Sequence, residues 1–360
     1  MERLLTSYHK NGFNLKNHLV MAPMTRSRAI DNLPNELMAD YYGQRTGAGL
    51  IITEGTAPIP DGLGYPRIPG IYNDAQVAGW KNVTDRVHQN GSKIFLQLMH
   101  TGRIGHIDNL PQGLTLAGPS ALKAAGQIYT DTAGMQDHSS PVPLTTAGIH
   151  KVIDGFITAA QNAIKAGFDG VELHGANGYL LEQFLNPNTN DRTDEYGGSI
   201  ENRARLTLEI AQKTAAAIGK DKVGIRFSPY AYLGDLKPYE KDAVHETYAY
   251  LAEKLNGIGI TYLHIASNPG IPQKTFDAIR ANFSNTIILC NGITPDTAQG
   301  ILQKGFADIV AFGRSFLANP DLVERIEMHL PLNPVDPTTL YTPGPKGYTD
   351  YPGIKISIPA

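Results

Sequence analysis

A single cysteine, Cys290, excludes an internal disulfide framework and cannot build a thiolate metal site. No stretch approaches the roughly 20 consecutive apolar residues of a membrane helix, because Gly, Pro or a charge interrupts every apolar run. An excess of one charge sign is also missing. The 31 basic and 34 acidic residues are mixed along the chain for a net charge of -3, so no basic stripe is offered to nucleic acid or anionic lipid. The opening "MERLLTSYHK" carries charges where a secretory signal needs an apolar run. The expectation is a cytoplasmic protein with no membrane or nucleic-acid partner. What is present, 41% hydrophobic and 18% charged residues over 360 positions, suffices to bury a sizeable core. No tandem repeat or charge-rich linker divides the chain, so residues 1–360 are expected to form one domain.

Short Val/Ile/Leu-rich runs recur at "HLVMAPM" (18–24), "GLIITEG" (49–55), "KIFLQLM" (93–99), "GVELHG" (170–175), "VGIRFSP" (223–229), "TYLHIAS" (261–267), "TIILCNG" (286–292) and "DIVAFGR" (308–314). Continuous apolar runs suit strands covered on both faces, as in a parallel sheet. Helical periodicity fills the intervals, as in residues 145–169 and in the segment that starts at a Ser199 cap and ends at Gly219. Eight such alternations predict an α/β fold of the (β/α)8 TIM-barrel type. One connection is too long for a plain turn: residues 100–145, rich in Gly, Pro, Ser and Thr, predict a capping subdomain after the third strand. The tail from 333 to 360 is Pro/Gly-rich over residues 333–353, but its three tyrosines there predict that it packs back on the barrel.

Barrels fill their interior with apolar side chains, so polar residues at strand C-termini mark the active face. Thr25, Glu54 with Gly55, Gln97, His174 and Arg226 hold such positions, and Asn177 and Tyr179 follow His174 in a glycine-punctuated turn. A guanidinium in an apolar strand needs an acceptor, so Arg226 either meets a ligand or forms an ion pair with a carboxylate such as Glu172. The ends of the last two strands, Asn291-Gly292 before the Thr294-Pro295 helix start and Gly313-Arg314, read as phosphate-holding loops or as two ordinary tight turns; their coincidence with an arginine favours phosphate. His100, His106, His138 and His264 show no HExxH or His/carboxylate spacing, so no metal is expected. Neither GxSxG nor GxGxxG follows a strand.

The stretches "MAPMTR" (21–26), "HTGR" (100–103), "ELHGANGYLLEQFLNPNTNDRTDEYGGSIENRARL" (172–206), "AFGRSFLANPDL" (311–322) and "GYTDYP" (347–352) resemble the Old Yellow Enzyme family of FMN-dependent ene-reductases, in particular its branch of N-ethylmaleimide and pentaerythritol tetranitrate reductases. The resemblance implies FMN held noncovalently, with Pro23, Met24, Thr25, Gly55, Gln97 and Arg226 around its ring and Asn291, Gly292, Gly313 and Arg314 at its phosphate. It implies NAD(P)H as reductant in a ping-pong scheme, with hydride from flavin N5 to the activated C=C bond of an α,β-unsaturated carbonyl compound, maleimide or nitroalkene. His174 and Asn177 would bind the substrate oxygen, Tyr179 would supply the proton, and Tyr65, Met99 and Tyr341 would line the substrate site. Three positions depart from the branch: Met99 replaces Trp and implies a wider pocket, Asn177 replaces His, and Gly55 replaces Ala, implying looser packing beneath the flavin. A monomer or homodimer is expected. From the residues alone, a phosphate-binding barrel aldolase or isomerase, or a noncatalytic FMN-binding barrel, are the competing readings.

Overall fold

The computed structural model describes residues 2–354. Eight strands, Leu19–Met21, Leu50–Ile52, Lys93–Leu98, Gly170–Gly175, Val223–Phe227, Tyr262–Ala266, Thr286–Cys290 and Ile309–Phe312, pair in chain order and close into a barrel. Every neighbouring pair is parallel, including the closing pair of the eighth strand with the first. The (β/α)8 expectation holds, with each strand falling inside its predicted run.

The helices begin where side chains can occupy free N–H groups. Thr145 Oγ1 accepts from Gly148 N at 3.1 Å ahead of helix Thr146–Lys165, and Ser199 Oγ accepts from Asn202 N at 3.3 Å ahead of Ile200–Ile218. Their apolar faces bury Ile149, Ile153, Phe156, Leu206 and Ile210 against the outside of the barrel. Inside, alternate strand residues such as Val20, Leu50, Ile52, Phe95, Tyr262, Ile288 and Ile309 form a separate cluster. A hairpin closes this interior from below. Strands Tyr8–Lys10 and Phe13–Leu15 turn through Asn11 and Gly12, both at positive φ, and the Phe13 ring lies 6.0 Å from those of Phe95 and Tyr262. The Asn-Gly pair is a strong hairpin signal; the strands are too short for their periodicity to announce them.

At the opposite end, residues 100–145 hold a two-residue parallel pairing, Ala117–Gly118 with Val142–Pro143, and an antiparallel hairpin, Gln127–Thr130 with Gly134–Asp137. The tail is fastened by buried arginines: Arg26 Nη2 donates to Gly347 O at 2.7 Å, Arg28 Nη2 to Thr339 O at 2.8 Å and Arg45 Nη2 to Tyr348 O at 3.2 Å. Tyr348 is stacked on Tyr41 at 4.0 Å. Residues 355–360 of the expected 333–360 tail lie outside the described residues. Among the described residues, no helix is long and apolar enough to cross a membrane.

Candidate active site

A cavity of about 850 Å³ opens at the C-terminal ends of the strands. Its walls bring together Pro23, Thr25, Gln97, His174, Asn177, Tyr179 and Arg226 with Tyr65, Met99 and Tyr341, residues drawn from nearly the whole length of the chain. Met24, Gly55, Asn291, Gly292, Gly313 and Arg314 are not among the wall residues.

The fourth strand positions the central group. His174 is its penultimate residue, buried, and its Nδ1 accepts the Ala176 N–H at 3.3 Å, so the ring proton resides on Nε2. Burial, reinforced by the Arg226 charge, holds the His174 pKa well below its ordinary value, and the ring is a neutral N–H donor. Asn177 takes a left-handed backbone (φ 59), which asparagine tolerates, and its N–H donates to Ser228 Oγ at 2.8 Å. The Tyr179 ring stands edge-on to His174, centroids 4.8 Å apart, with its hydroxyl 3.1 Å from that of Tyr65. Burial, then the neighbouring Tyr65, pushes its pKa well above the ordinary phenol value, so Tyr179 carries its proton throughout the neutral range.

The turn has buried supports that sequence reasoning overlooked. The Glu182 carboxylate accepts from Gly178 N at 2.7 Å, Ser228 Oγ at 2.8 Å and Tyr248 Oη at 3.1 Å. Gln183 Nε2 donates to Gly178 O at 2.7 Å and Thr101 O at 2.9 Å, tying the turn to the loop after the third strand. The available signal was a Glu-Gln pair inside the apolar run "YLLEQFL". His100 and Arg103 of "HTGR" serve that loop: His100 Nδ1 accepts from Gly102 N at 3.0 Å, and Arg103 Nη2 donates to Asp235 O at 2.7 Å.

Across the cavity floor, Arg226 is 5% exposed, and neither its Nε nor its Nη1 has a hydrogen-bond partner among the described residues. The ion pair with Glu172 does not form. Glu172 instead accepts from Gln97 Nε2 at 2.8 Å and lies 2.8 Å from His264 Nδ1, leaving Arg226 only a 3.9 Å contact from Nη2 to Cys290 Sγ. The carboxylate also fixes the Gln97 amide: with the NH2 group turned to Glu172, the carbonyl oxygen points the other way. An acceptor next to unpaired cationic donors suits the imide edge of a flavin pyrimidine, an N–H flanked by carbonyls. A buried guanidinium with two unpartnered nitrogens is costly, and the residues present fit FMN.

The seventh and eighth strand ends lie side by side through the Cys290 and Ala311 register. Asn291 (φ 72) and Gly292 (φ 65) are exposed, with no atom within 4 Å of where a Gly292 Cβ would stand; Gly313 precedes the short helix Arg314–Ala318 with Arg314 exposed. This open shelf lies beside the cavity, and Met24 Sδ approaches it, 3.4 Å from a Cβ placed on Gly313. Gly55 requires a correction. A Cβ there would stand 2.4 Å from Met99 Sδ and 2.6 Å from Met99 Cε, so the missing methyl does not loosen the packing but makes room for the methionine.

At the mouth, Arg67 joins three segments: Nε donates to Ser27 O at 3.0 Å, Nη2 to Tyr341 O at 2.9 Å, and Nη1 pairs with Asp131 of the Gln127–Asp137 hairpin. All four residues line the cavity.

Comparison with known proteins follows this geometry. The model of the NADH:flavin oxidoreductase / NADH oxidase family matches residues 9–333. 12-oxophytodienoate reductase 1 of Oryza sativa subsp. japonica is 42% identical over 359 residues, 97% of this chain and 92% of that protein. Morphinone reductase in complex with tetrahydroNAD superimposes with a TM-score of 0.94 at 42% identity, covering 99% of each chain. The Old Yellow Enzyme homologue from Zymomonas mobilis gives 0.92 at 39% identity, over 97% of this chain and 99% of that one.

Proposed function

Because the chain belongs to the NADH:flavin oxidoreductase / NADH oxidase family, as an FMN-dependent ene-reductase of the Old Yellow Enzyme type that uses a nicotinamide reductant, we propose that it reduces the activated C=C bond of α,β-unsaturated carbonyl compounds, maleimides or nitroalkenes. The carrying observation is that a neutral imidazole donor, an asparagine and a protonated tyrosine converge in one cavity facing an unpaired buried arginine. The aldolase and noncatalytic readings are set aside by the family match.

FMN, when bound, would supply the hydride chemistry for the β-carbon of the alkene. His174, donating from Nε2, and Asn177, donating from its amide, hold the oxygen of the electron-withdrawing group and stabilise the negative charge that grows there. Because His174 is neutral, it polarises the oxygen without surrendering a proton to it. Tyr179 holds its proton at Oη until a carbanionic α-carbon, far more basic than any enone oxygen, can take it. Tyr65, at hydrogen-bond distance from Tyr179 Oη, orients that hydroxyl. Gln97 and Arg226 would hold the pyrimidine edge of FMN, the arginine countering negative charge there. Thr25 and Pro23 would meet the ring, and the exposed shelf of Asn291, Gly292, Gly313 and Arg314 would hold the phosphate through backbone N–H groups and the guanidinium.

The test is an absorbance spectrum followed by separate half-reactions. Purified protein should show flavin bands, and Tyr179→Phe should slow alkene reduction by roughly 100-fold or more while leaving flavin reduction by NAD(P)H close to that of the parent. Equal loss in both half-reactions would remove Tyr179 as the proton source; protein colourless after incubation with FMN would overturn the reading as a whole.

A further inference from the structure

Beneath the cavity lies a buried ionic group that the mechanism above does not use. Glu172 and His264 are both fully buried, 2.8 Å apart, on strands four and six. Strand five runs between them, and the residue it pairs with Glu172 is Gly224, which has no side chain to intervene. Arg226, two residues further along strand five, is paired with His174 on one side and with His264 on the other. The carboxylate is therefore within reach of two cations and engages only one of them.

The charges fit this division. The Glu172 pKa is depressed despite burial, chiefly through the His264 charge, and that of His264 is raised by Glu172 against its own burial, so each group favours the charged form of the other. Both carboxylate oxygens are taken, Oε1 by Gln97 and Oε2 by His264. With these two charges cancelling, Arg226 remains as the uncompensated cation at the cavity floor.

We propose that His264 is a positioning residue: by engaging Glu172 it withholds that carboxylate from Arg226 and keeps the guanidinium free for the cofactor. Glu172, so restrained, also holds the Gln97 amide with its acceptor toward the cofactor. Without the imidazolium, the carboxylate would be buried with one strong partner missing, and the nearest cation able to replace it is Arg226. The cofactor would then lose both the hydrogen bonds and the positive charge that the arginine supplies.

The inference rests on the flavoprotein reading and is tested by FMN affinity of the apoprotein, followed by fluorescence quenching, and by the midpoint potential of the bound flavin. His264→Gln should weaken FMN binding roughly tenfold or more, as expected for loss of a charge-assisted contact, and should make the potential more negative. Adding Glu172→Gln to it removes the competing negative charge while leaving an amide oxygen to accept from Gln97 Nε2, and affinity and potential should return close to the parent values. Glu172→Gln alone should change the potential little, because His264 then loses its reason to hold a proton and the net charge around Arg226 is unaltered. A His264→Gln variant that matches the parent in both measurements overturns the proposal. A double variant as impaired as the single one also overturns it, since lost packing would then be the cause. If His264→Gln does not fold, the double variant is read alone: folded and binding FMN like the parent, it supports the proposal, and unfolded, it refutes it. Parent protein that binds no FMN would instead sink the flavoprotein reading.

Discussion

Replacing Gly55 with alanine tests the packing that sets the size of the pocket. The new Cβ would stand 2.4 Å from Met99 Sδ, 2.6 Å from its Cε and 3.2 Å from its Cβ, where ordinary contacts lie at about 3.5–4.0 Å. The thioether must therefore retreat by roughly 1 Å or more. Behind it, Ala57, Leu63, Ile68 and Leu116 form a closed cluster with no exposed surface, and the open direction is the cavity that Met99 lines. Overpacking of this kind costs about 1–3 kcal/mol. Gly55 is not at positive φ, so alanine is conformationally allowed there and recovers about 0.4–1 kcal/mol through the unfolded state. A net loss of roughly 1–2 kcal/mol lowers the melting temperature by a few degrees. The displaced methionine tip should reduce kcat/KM for a bulky substituted enone about tenfold relative to a small cyclic one, a difference of about 1.4 kcal/mol. Any effect of the methyl on the cofactor itself is separated by a double-mutant cycle with Met99→Ala. In that background, Gly55→Ala should cost little stability and should no longer distinguish the two substrates. If Gly55→Ala produces the same discrimination whether or not Met99 is present, the two positions are not coupled and the reasoning fails.

The mouth and the catalytic turn give two further predictions. Arg67→Ala should speed amide exchange in residues 127–137 and 337–343 roughly tenfold, a modest effect because Asp131 is half exposed and solvent screens the pair; unchanged exchange in both segments would show that the arginine does not fasten them. Burial pushes the Glu182 pKa up to about 7 from its ordinary 4.5. Between those values the folded chain keeps a proton that the unfolded chain releases, so this contribution to stability is complete below about pH 4.5 and is lost as pH rises through 7. At about 1.4 kcal/mol per unit, the loss is on the order of 3 kcal/mol. Buried Glu54, also pushed up to about 7, adds a similar slope. Buried His174, with its pKa held low, contributes a slope of the opposite sign, so the test is the difference between variant and parent: Glu182→Gln should shift the change in urea stability from pH 5 to 7 upward by roughly 2–3 kcal/mol, and an identical pH dependence in the two would refute the assignment.

What could be read in the chain, and what could not, follows from the range of each interaction. The eight strands were legible because a strand covered on both faces leaves a contiguous apolar run, and the Ser199 cap because a helix start is signalled within three residues. Arg226 stood out for the same local reason, a charge inside such a run. That its Nε and Nη1 find no partner among the described residues was not legible. Whether Glu172 turns to Arg226 or to His264 depends on three strands meeting inside a closed barrel, and on Gly224 leaving the way across strand five open. Gly55 and Met99 were each recognisable as departures from the family, yet they are 44 positions apart, and only the pairing of strands two and three reveals that one makes room for the other. Glu182 shows the same limit from another side: a lone acid in an apolar run marks burial, but its hydrogen bonds from Gly178, Ser228 and Tyr248 come from three parts of the chain. The proposed catalytic side chains lie together in sequence, at 174 to 179. The groups that fix their protonation and position do not, so substitutions at Glu172, Glu182 and His264 should alter the site while leaving its motif intact.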